Sequence, residues 1–245
     1  KEKWYKDRRN MGNVTQDQWN QENELTFLNS GSPVFNLVLL KEYYEKSCKN
    51  SQPIKTLYGG LCKIYEEPTS AGGYVATMDC SEGRNGDYSV LLIFDRDLNQ
   101  VCEYACNNVS INDFVKNAVD LCKYYNHAFL GFERNNNFGG SAEQVLTNQK
   151  YLNFCYENYD RGVYGIQTTS KTKMESITFL TEWLETNSIK LKSRKIYDEL
   201  TYFSHINGKC SAPKGYHDDF VMALTFLPAT YEQFLRCIFT DIRLF

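Results

Sequence analysis

Between residues 74 and 133 the chain sets four short β-prone runs and one amphipathic stretch almost end to end. YVATMD (74–79), YSVLLIFD (88–95) and LNQVCEYAC (98–106) are separated only by the turn-rich links SEGRNGD and RDLN. Such links suit hairpins and leave no room for a crossover, so the three runs read as an antiparallel meander. INDFVKNAVDLCKYYN (111–126) then places Phe114, Val115, Ala118, Leu121 and Cys122 on one helical face, with Ser110 or Asn112 as its cap. A helix before the fourth run, AFLGFE (128–133), implies a crossover, which makes that strand parallel to a neighbour in the sheet interior. YSVLLIFD is apolar nearly throughout and so buried on both faces, whereas LNQVCEYAC alternates more. Helical patterns follow at 139–150, 172–187 and 193–203, and a last helix begins near Tyr216, runs through VMALTFL and stops or bends at Pro228. The expected class is α/β: a mixed sheet, a three-strand antiparallel meander plus parallel strands, flanked by helices.

Residues 1–57 are polar, with apolar and aromatic spacing at Trp19, Leu25, Phe27 and Leu28 and a short amphipathic helix in FNLVLLKEYYEKS. Glycines and turn formers at Tyr58–Gly60 and Pro68–Gly73 set this segment apart, which divides the chain into residues 1–57 and a domain over 58–245. No GxxxxGK[ST] phosphate loop occurs, so no nucleotide-hydrolysing motor is evident. No apolar run reaches the roughly 18 residues needed to span a bilayer. KEKWYKDRRN at the N-terminus lacks the apolar stretch of a signal peptide, so a soluble protein that stays where it is made is expected.

The nine cysteines form no matched C-x2-C pairs. Cys102 and Cys106 share a strand face with Tyr104, and a reduced, half-buried thiol set fits better than a zinc site, which suits a reducing cytosol. The net charge of −3 gives no global attraction for nucleic acid, so phosphate binding needs a local basic patch. Between Lys171 and Lys214, eight basic residues (Lys171, Lys173, Lys190, Lys192, Arg194, Lys195, Lys209, Lys214) face five acids (Glu175, Glu182, Glu185, Asp198, Glu199). A DNA-facing surface and a solvated helical face fit that run equally well.

Chemistry enters with the acids. Asp79 ends the first strand, Glu133 ends the fourth, and Asp218 and Asp219 stand directly before FVMALTFL. Each abuts an element that must be largely buried, where a carboxylate is costly unless paired or bound to a metal. Three such sites meeting without a cation would repel one another. Magnesium, an oxygen-seeking ion, is what such a cluster suits, and a pair of ions about 3.5–4 Å apart clamps both oxygens of an in-line phosphodiester displacement. Singly, each acid has a plainer reading as a turn or cap residue, and the Asp pair suits a helix N-terminus.

YVATMDCSEGRNGDYSVLLIFD, FLGFERNNNFGGSAEQVL, GIQTTSKTKMESITFL and GYHDDFVMALTFL, in that order, resemble the successive motifs of the nuclease domain in viral terminase large subunits of the tailed-bacteriophage type. The resemblance runs from about residue 70 to 228, and WNQENELTFLNSGSPVF looks like the stretch that joins that domain to an ATPase motor. It implies an RNase H-like fold and a two-metal endonuclease, using Mg2+ or Mn2+, that cuts concatemeric double-stranded viral DNA during packaging. By position, Asp79 is expected to bridge both metals, Glu133 to supply the fourth-strand acid, and Asp218 and Asp219 the last, with the leading member of that pair left open. Asp87 in NGDYS matches an accessory acid that binds metal or a metal-bound water; otherwise it is a turn residue. Implied partners are the ATPase motor, a portal protein and a small terminase subunit, with no membrane, in the cytoplasm of an infected host cell.

Other positions are weaker. Arg134 suits a phosphate contact or a plain ion pair, and Lys171 and Lys173 in TTSKTK suit phosphate at a helix entry or a solvated helix start. Asn135–Asn137, Phe138 and Gly139–Gly140 form a polar loop able to approach phosphate, or merely a turn. His217 is expected to pack at the helix start rather than tune a metal-bound water; His127 and His205 lack ligand spacing, and Glu82 and Asp95 read as turn residues. A Holliday-junction resolvase or transposase-like nuclease would need the same acids, while a non-catalytic DNA-clamping or portal-docking module would not need them filled.

Overall fold

The structure, a computed structural model, describes residues 32–81, 86–135, 137–158 and 160–239. The spacing at Trp19, Leu25, Phe27 and Leu28 lies outside the described residues, as do Glu82 and Asn136. In chain order the elements are β1 (Ser32–Pro33), α1 (Leu37–Tyr43), β2 (Lys55–Leu57), β3 (Cys62–Ile64), β4 (Tyr74–Asp79), β5 (Ser89–Asp95) and β6 (Gln100–Cys106). There follow α2 (Ile111–Tyr124), β7 (Phe129–Phe132), α3 (Asn137–Asn148), β8 (Tyr156–Asn158), β9 (Val163–Tyr164) and α4 (Ser170–Glu185). The chain continues through α5 (Arg194–Tyr202), β10 (Ser204–Ile206), β11 (Lys209–Ser211), α6 (Asp219–Thr225) and α7 (Leu227–Phe239).

The main sheet has six strands in the order β2-β3-β6-β5-β4-β7. β4, β5 and β6 form the expected meander, and β7 returns through α2 to lie parallel to β4. Ser110 caps α2 by accepting the Asp113 N–H at 3.2 Å. Alternate strand residues feed two cores. Val75, Val90, Leu92, Phe94 and Phe129 face α1 and α4–α7, through side chains such as Leu40, Leu180, Leu200, Phe220 and Leu227. Ala76, Met78, Leu91, Ile93, Leu130 and Phe132 face α2 and α3, through Phe114, Val115 and Leu146. Among the described residues no helix is long and apolar enough to cross a membrane.

The structure departs from the sequence expectations in four places. First, β6 does not alternate between buried and exposed: all seven of its residues are buried. Its outer edge is covered by the β2–β3 hairpin, so Gln100 and Glu103 become interior groups and need partners. Gln100 accepts from the Lys192 and Ser193 N–H groups at 2.7 and 3.0 Å, and Glu103 meets Lys63 at 2.7 Å. Second, residue 57 is not a break in packing. β2 enters the main sheet, and the Tyr43 hydroxyl of α1 donates to the Ile189 carbonyl at 2.7 Å and accepts the Leu191 N–H at 2.6 Å.

Third, the thiols are more deeply set than expected. Eight described cysteines are buried and only Cys237 is partly exposed, because the strands that carry several of them are covered on both faces. Fourth, the last helix starts at Asp219, not near Tyr216, and is interrupted at Phe226. Pro228 then falls in the first turn of α7, where a missing N–H breaks no helical bond. The fresh start lets α7 lie close to β7. A Cβ built on Gly131 would come within 1.9 Å of the Thr230 hydroxyl oxygen.

Candidate metal centre

The β4–β7 register builds half of the site. Met78 stands opposite Phe132 in the parallel pair, so the next residues, Asp79 and Glu133, leave neighbouring strand ends together. Met78 and Phe132 point into the α2–α3 core, so by alternation the two acids turn to the face covered by α6 and α7. Glu133 is held at that level by a parallel bridge to Ile166, whose N–H donates to the Phe132 carbonyl at 2.8 Å.

The other half comes from the start of α6. Asp219 is buried, and one of its oxygens accepts the Tyr88 N–H, at the head of β5, at 3.0 Å. Asp218 uses one oxygen to accept the Ala212 N–H at 3.1 Å. Burial first, then the charges of Glu133, Asp219 and Asp218, push the Asp79 carboxyl well above the usual range. Burial likewise pushes Asp219 up to about 6, with Asp87 adding to the rise and the Tyr88 N–H and His217 opposing it. Carboxylates arranged this way fit a hard divalent cation, which would neutralise the repulsion that otherwise favours their protonated forms.

His217 is exposed, not packed at the helix start as expected. Its Nδ1 lies 3.5 Å from an Asp87 oxygen and 3.3 Å from an Asp219 oxygen. One ligand atom each from Asp87, His217 and Asp219 fall within 4.8 Å of one another, so Asp87 does approach the α6 acids. The His217 ring stands edge-on to Tyr88 at 5.9 Å.

The basic residues separate into engaged and open ones. Arg134 pairs with Glu157 and donates to the Gln167 side chain at 2.8 Å. Lys173 donates to the Cys210 carbonyl at 2.9 Å and lies 5.3 Å from the Phe203 ring. Lys171 is well exposed, 3.8 Å from Glu175. Lys192 pairs with Glu66 and Arg194 with Asp198, so that part of the basic run serves packing. Asn135 ties the loop after Glu133 to the Thr168 backbone, while the side chains of Asn137 and Phe138 lie outside the described residues. Asp95 is the turn residue expected, accepting from the N–H groups of Asp97 and Asn99. His205 lies beside Cys210 and His127 stacks on Tyr151.

Sequence reasoning passed over Lys195 and Glu199 except as members of a charge count. Lys195 holds its ammonium 4.2 Å from the Tyr88 ring and 5.7 Å from that of Phe220, the residues next in chain to Asp87 and Asp219. Glu199, raised to about 8 by burial, accepts the N–H groups of Phe220 and Val221 at 2.7 and 3.1 Å. Neither carries a local signal, because both act on elements distant in the chain.

These shifts set a pH dependence. The ordinary values are 3.8 for Asp219 and 4.5 for Glu199, and the folded values are about 6 and about 8. A raised carboxyl holds a proton in the folded chain that the unfolded chain has released. The stability contributed is therefore full below about pH 4 and is lost as pH rises through those two folded values. Saturating Mg2+ should replace the Asp219 share, so the Tm gained on adding the ion should grow from about pH 4 to about pH 6. Thermal melts in EDTA and in Mg2+ across that range test this, and a gain independent of pH would refute it.

No protein-family model matches the chain. Among solved structures, it is similar to the large terminase nuclease from thermophilic phage G20c with bound magnesium: TM-score 0.64, 21% identity, 83% of this chain and 98% of that one. The same nuclease with bound cobalt aligns with TM-score 0.63, 21% identity and the same coverage, 83% and 98%. The large terminase nuclease domain of Thermus phage P74-26 aligns with TM-score 0.59 and 21% identity, over 79% of this chain and 95% of that one. The chain thus has the RNase H-like fold of phage large-terminase nuclease domains, a mixed six-strand sheet between two layers of helices.

Proposed function

We propose that this chain is a metal-dependent DNA endonuclease that acts in packaging of a phage genome, using two Mg2+ or Mn2+ ions to cut concatemeric double-stranded DNA. The observation that carries the reading is the register of β4 and β7: with Met78 opposite Phe132, Asp79 and Glu133 leave neighbouring strand ends together, on the sheet face that α6 and its Asp218–Asp219 start cover. Its likeness in fold to nucleases that bind magnesium or cobalt supports it. Asp79, Glu133, Asp218 and Asp219 hold the cations, with Asp87 at the exposed rim. Bound divalent ions supply charge neutralisation at the scissile phosphate and a more acidic water.

The chain's own groups do the rest. The Tyr88 and Ala212 N–H groups each engage one oxygen of the α6 pair and so restrain both carboxylates at the helix start. His217 Nδ1 stands at the rim, 3.5 Å from an Asp87 oxygen and 3.3 Å from an Asp219 oxygen. Lys195 presents a positive charge over Tyr88, the sign needed for a phosphate backbone. Lys171 and Arg134 remain candidate DNA contacts, Arg134 only by exchanging its Glu157 partner, whereas Lys173 is occupied by the Cys210 carbonyl. Residues 1–57, whose α1 and β2 pack on the domain, lead toward an ATPase motor, with the portal and small terminase subunit as partners of the whole machine in the cytoplasm of the infected cell.

Incubation of supercoiled plasmid with the chain tests the activity. Nicked and linear products are expected with Mg2+ or Mn2+ and none with EDTA. A folded chain that leaves the plasmid supercoiled in both metals would instead be a docking or DNA-clamping module.

A further inference from the structure

Helix α6 begins without using the cap that its own sequence provides. Aspartate is among the preferred N-cap residues because its carboxylate accepts the N–H groups of the second and third helical positions. Asp218 occupies that position, yet its side chain makes no capping bond. Its oxygen accepts the Ala212 N–H, and Asp219 accepts the Tyr88 N–H. The N–H groups of Phe220 and Val221 donate instead to a single oxygen of Glu199, from α5. Phe220 and Val221 are fully buried, so water cannot stand in for that oxygen. α5 itself is fixed by the buried side chains of Ile196 and Leu200 and by the Ser193 cap.

We infer that Glu199 is a positioning residue: by capping α6 from α5 it releases Asp218 and Asp219 from capping and keeps both turned to the cation centre. The inference rests on the metal-centre reading above. Without the Glu199 oxygen, two buried N–H groups need an acceptor, and the carboxylate one residue before the helix is the one such a start ordinarily uses. Asp218 then leaves Ala212 and the cation site together. What the arrangement requires of residue 199 is one oxygen at the right reach, since both bonds end on the same Oε2. Reach and charge are separable: glutamine keeps the reach and loses the charge, aspartate keeps the charge but is one methylene short, and alanine has neither.

The experiment is Mn2+ binding by the whole chain, read from the spin-resonance signal of free Mn2+, with circular dichroism and melting curves to confirm folding. Glu199→Ala and Glu199→Asp should weaken binding about tenfold or more, the range for outer residues that orient metal ligands, while Glu199→Gln stays within about threefold of wild type. In a crystal structure of the alanine variant, the Asp218 carboxylate should sit on the Phe220 and Val221 N–H groups. If the alanine variant does not fold, the aspartate and glutamine variants decide between reach and charge. Equal binding by wild type and the folded alanine or aspartate variant overturns the inference, as does a glutamine variant as weak as aspartate. Asp219→Asn serves as the reference: if wild type shows no Mn2+ binding that this substitution removes, the metal-centre reading falls and the cap's role with it.

Discussion

Asp79→Asn should lower metal-dependent plasmid cleavage on the order of a thousandfold, about 4 kcal/mol of transition-state stabilisation, while making the metal-free protein more heat-stable. The two effects have one cause. Asparagine keeps the volume and one acceptor oxygen of aspartate but carries no charge. The Asp79 carboxyl is raised by burial and by Glu133, Asp219 and Asp218, which outweigh the Cys80 N–H that favours its ionised form. Neutralising it relieves that repulsion, and the same change removes the negative charge that would hold the ion. Such opposite movements of activity and stability mark a site arranged for function rather than for folding. A merely structural acid at the end of β4 would lose both on substitution. Plasmid assays in Mg2+ and Mn2+, with melts in EDTA, read the two effects separately. Cleavage within threefold of wild type, or a metal-free Tm several degrees below it, would refute the assignment.

The second large effect is expected at a residue that touches no substrate. Gly131 lies in β7, two residues before Glu133, where α7 closes against the strand. An alanine Cβ there would lie 1.9 Å from the Thr230 Oγ1, 3.0 Å from its Cβ and 3.1 Å from its Cγ2. Thr230 is fully buried and its hydroxyl donates to the Phe226 carbonyl at 2.7 Å, so it has little freedom to withdraw. Gly131→Ala should therefore cost about 1–3 kcal/mol by overpacking, a Tm lower by roughly 3–10 °C for a chain of this size. Because α7 continues from α6, the strain should also move the Asp218–Asp219 end relative to Glu133 and reduce cleavage. Thr230→Ala removes the two closest conflicts apart from Cβ, so the double variant should be more stable than the sum of the single changes. Strict additivity of the two substitutions in denaturant melts would show that the close approach is not the cause.

Much of this architecture was legible before any tertiary contact was known. The meander, the crossover through α2 and the parallel return of β7 follow from local periods and link lengths, because a short link permits only a hairpin and a helix forces a crossover. The acids could be picked out for the same reason: each ends a run whose apolar pattern declares burial, and carboxylates at such places need an explanation. Asp79 and Glu133 fall together because the parallel register sets Met78 opposite Phe132, and each acid is the next residue along its strand.

Tertiary structure decided the rest wherever the answer depended on what lies across the chain. The alternation in LNQVCEYAC describes a half-exposed strand, but the β2–β3 hairpin covers its edge and makes Gln100 and Glu103 interior groups. Lys173 and Lys195 are the same side chain in one charged run, yet one is spent on the Cys210 carbonyl and the other stands over Tyr88, next in chain to Asp87. Asp218 has every local qualification to cap α6, and Glu199 takes that place from another helix. Periodicity and propensity report how a residue relates to its own neighbours in sequence. Which oxygen reaches a given N–H, and which group a cation meets, is settled by distances between elements that no local pattern encodes.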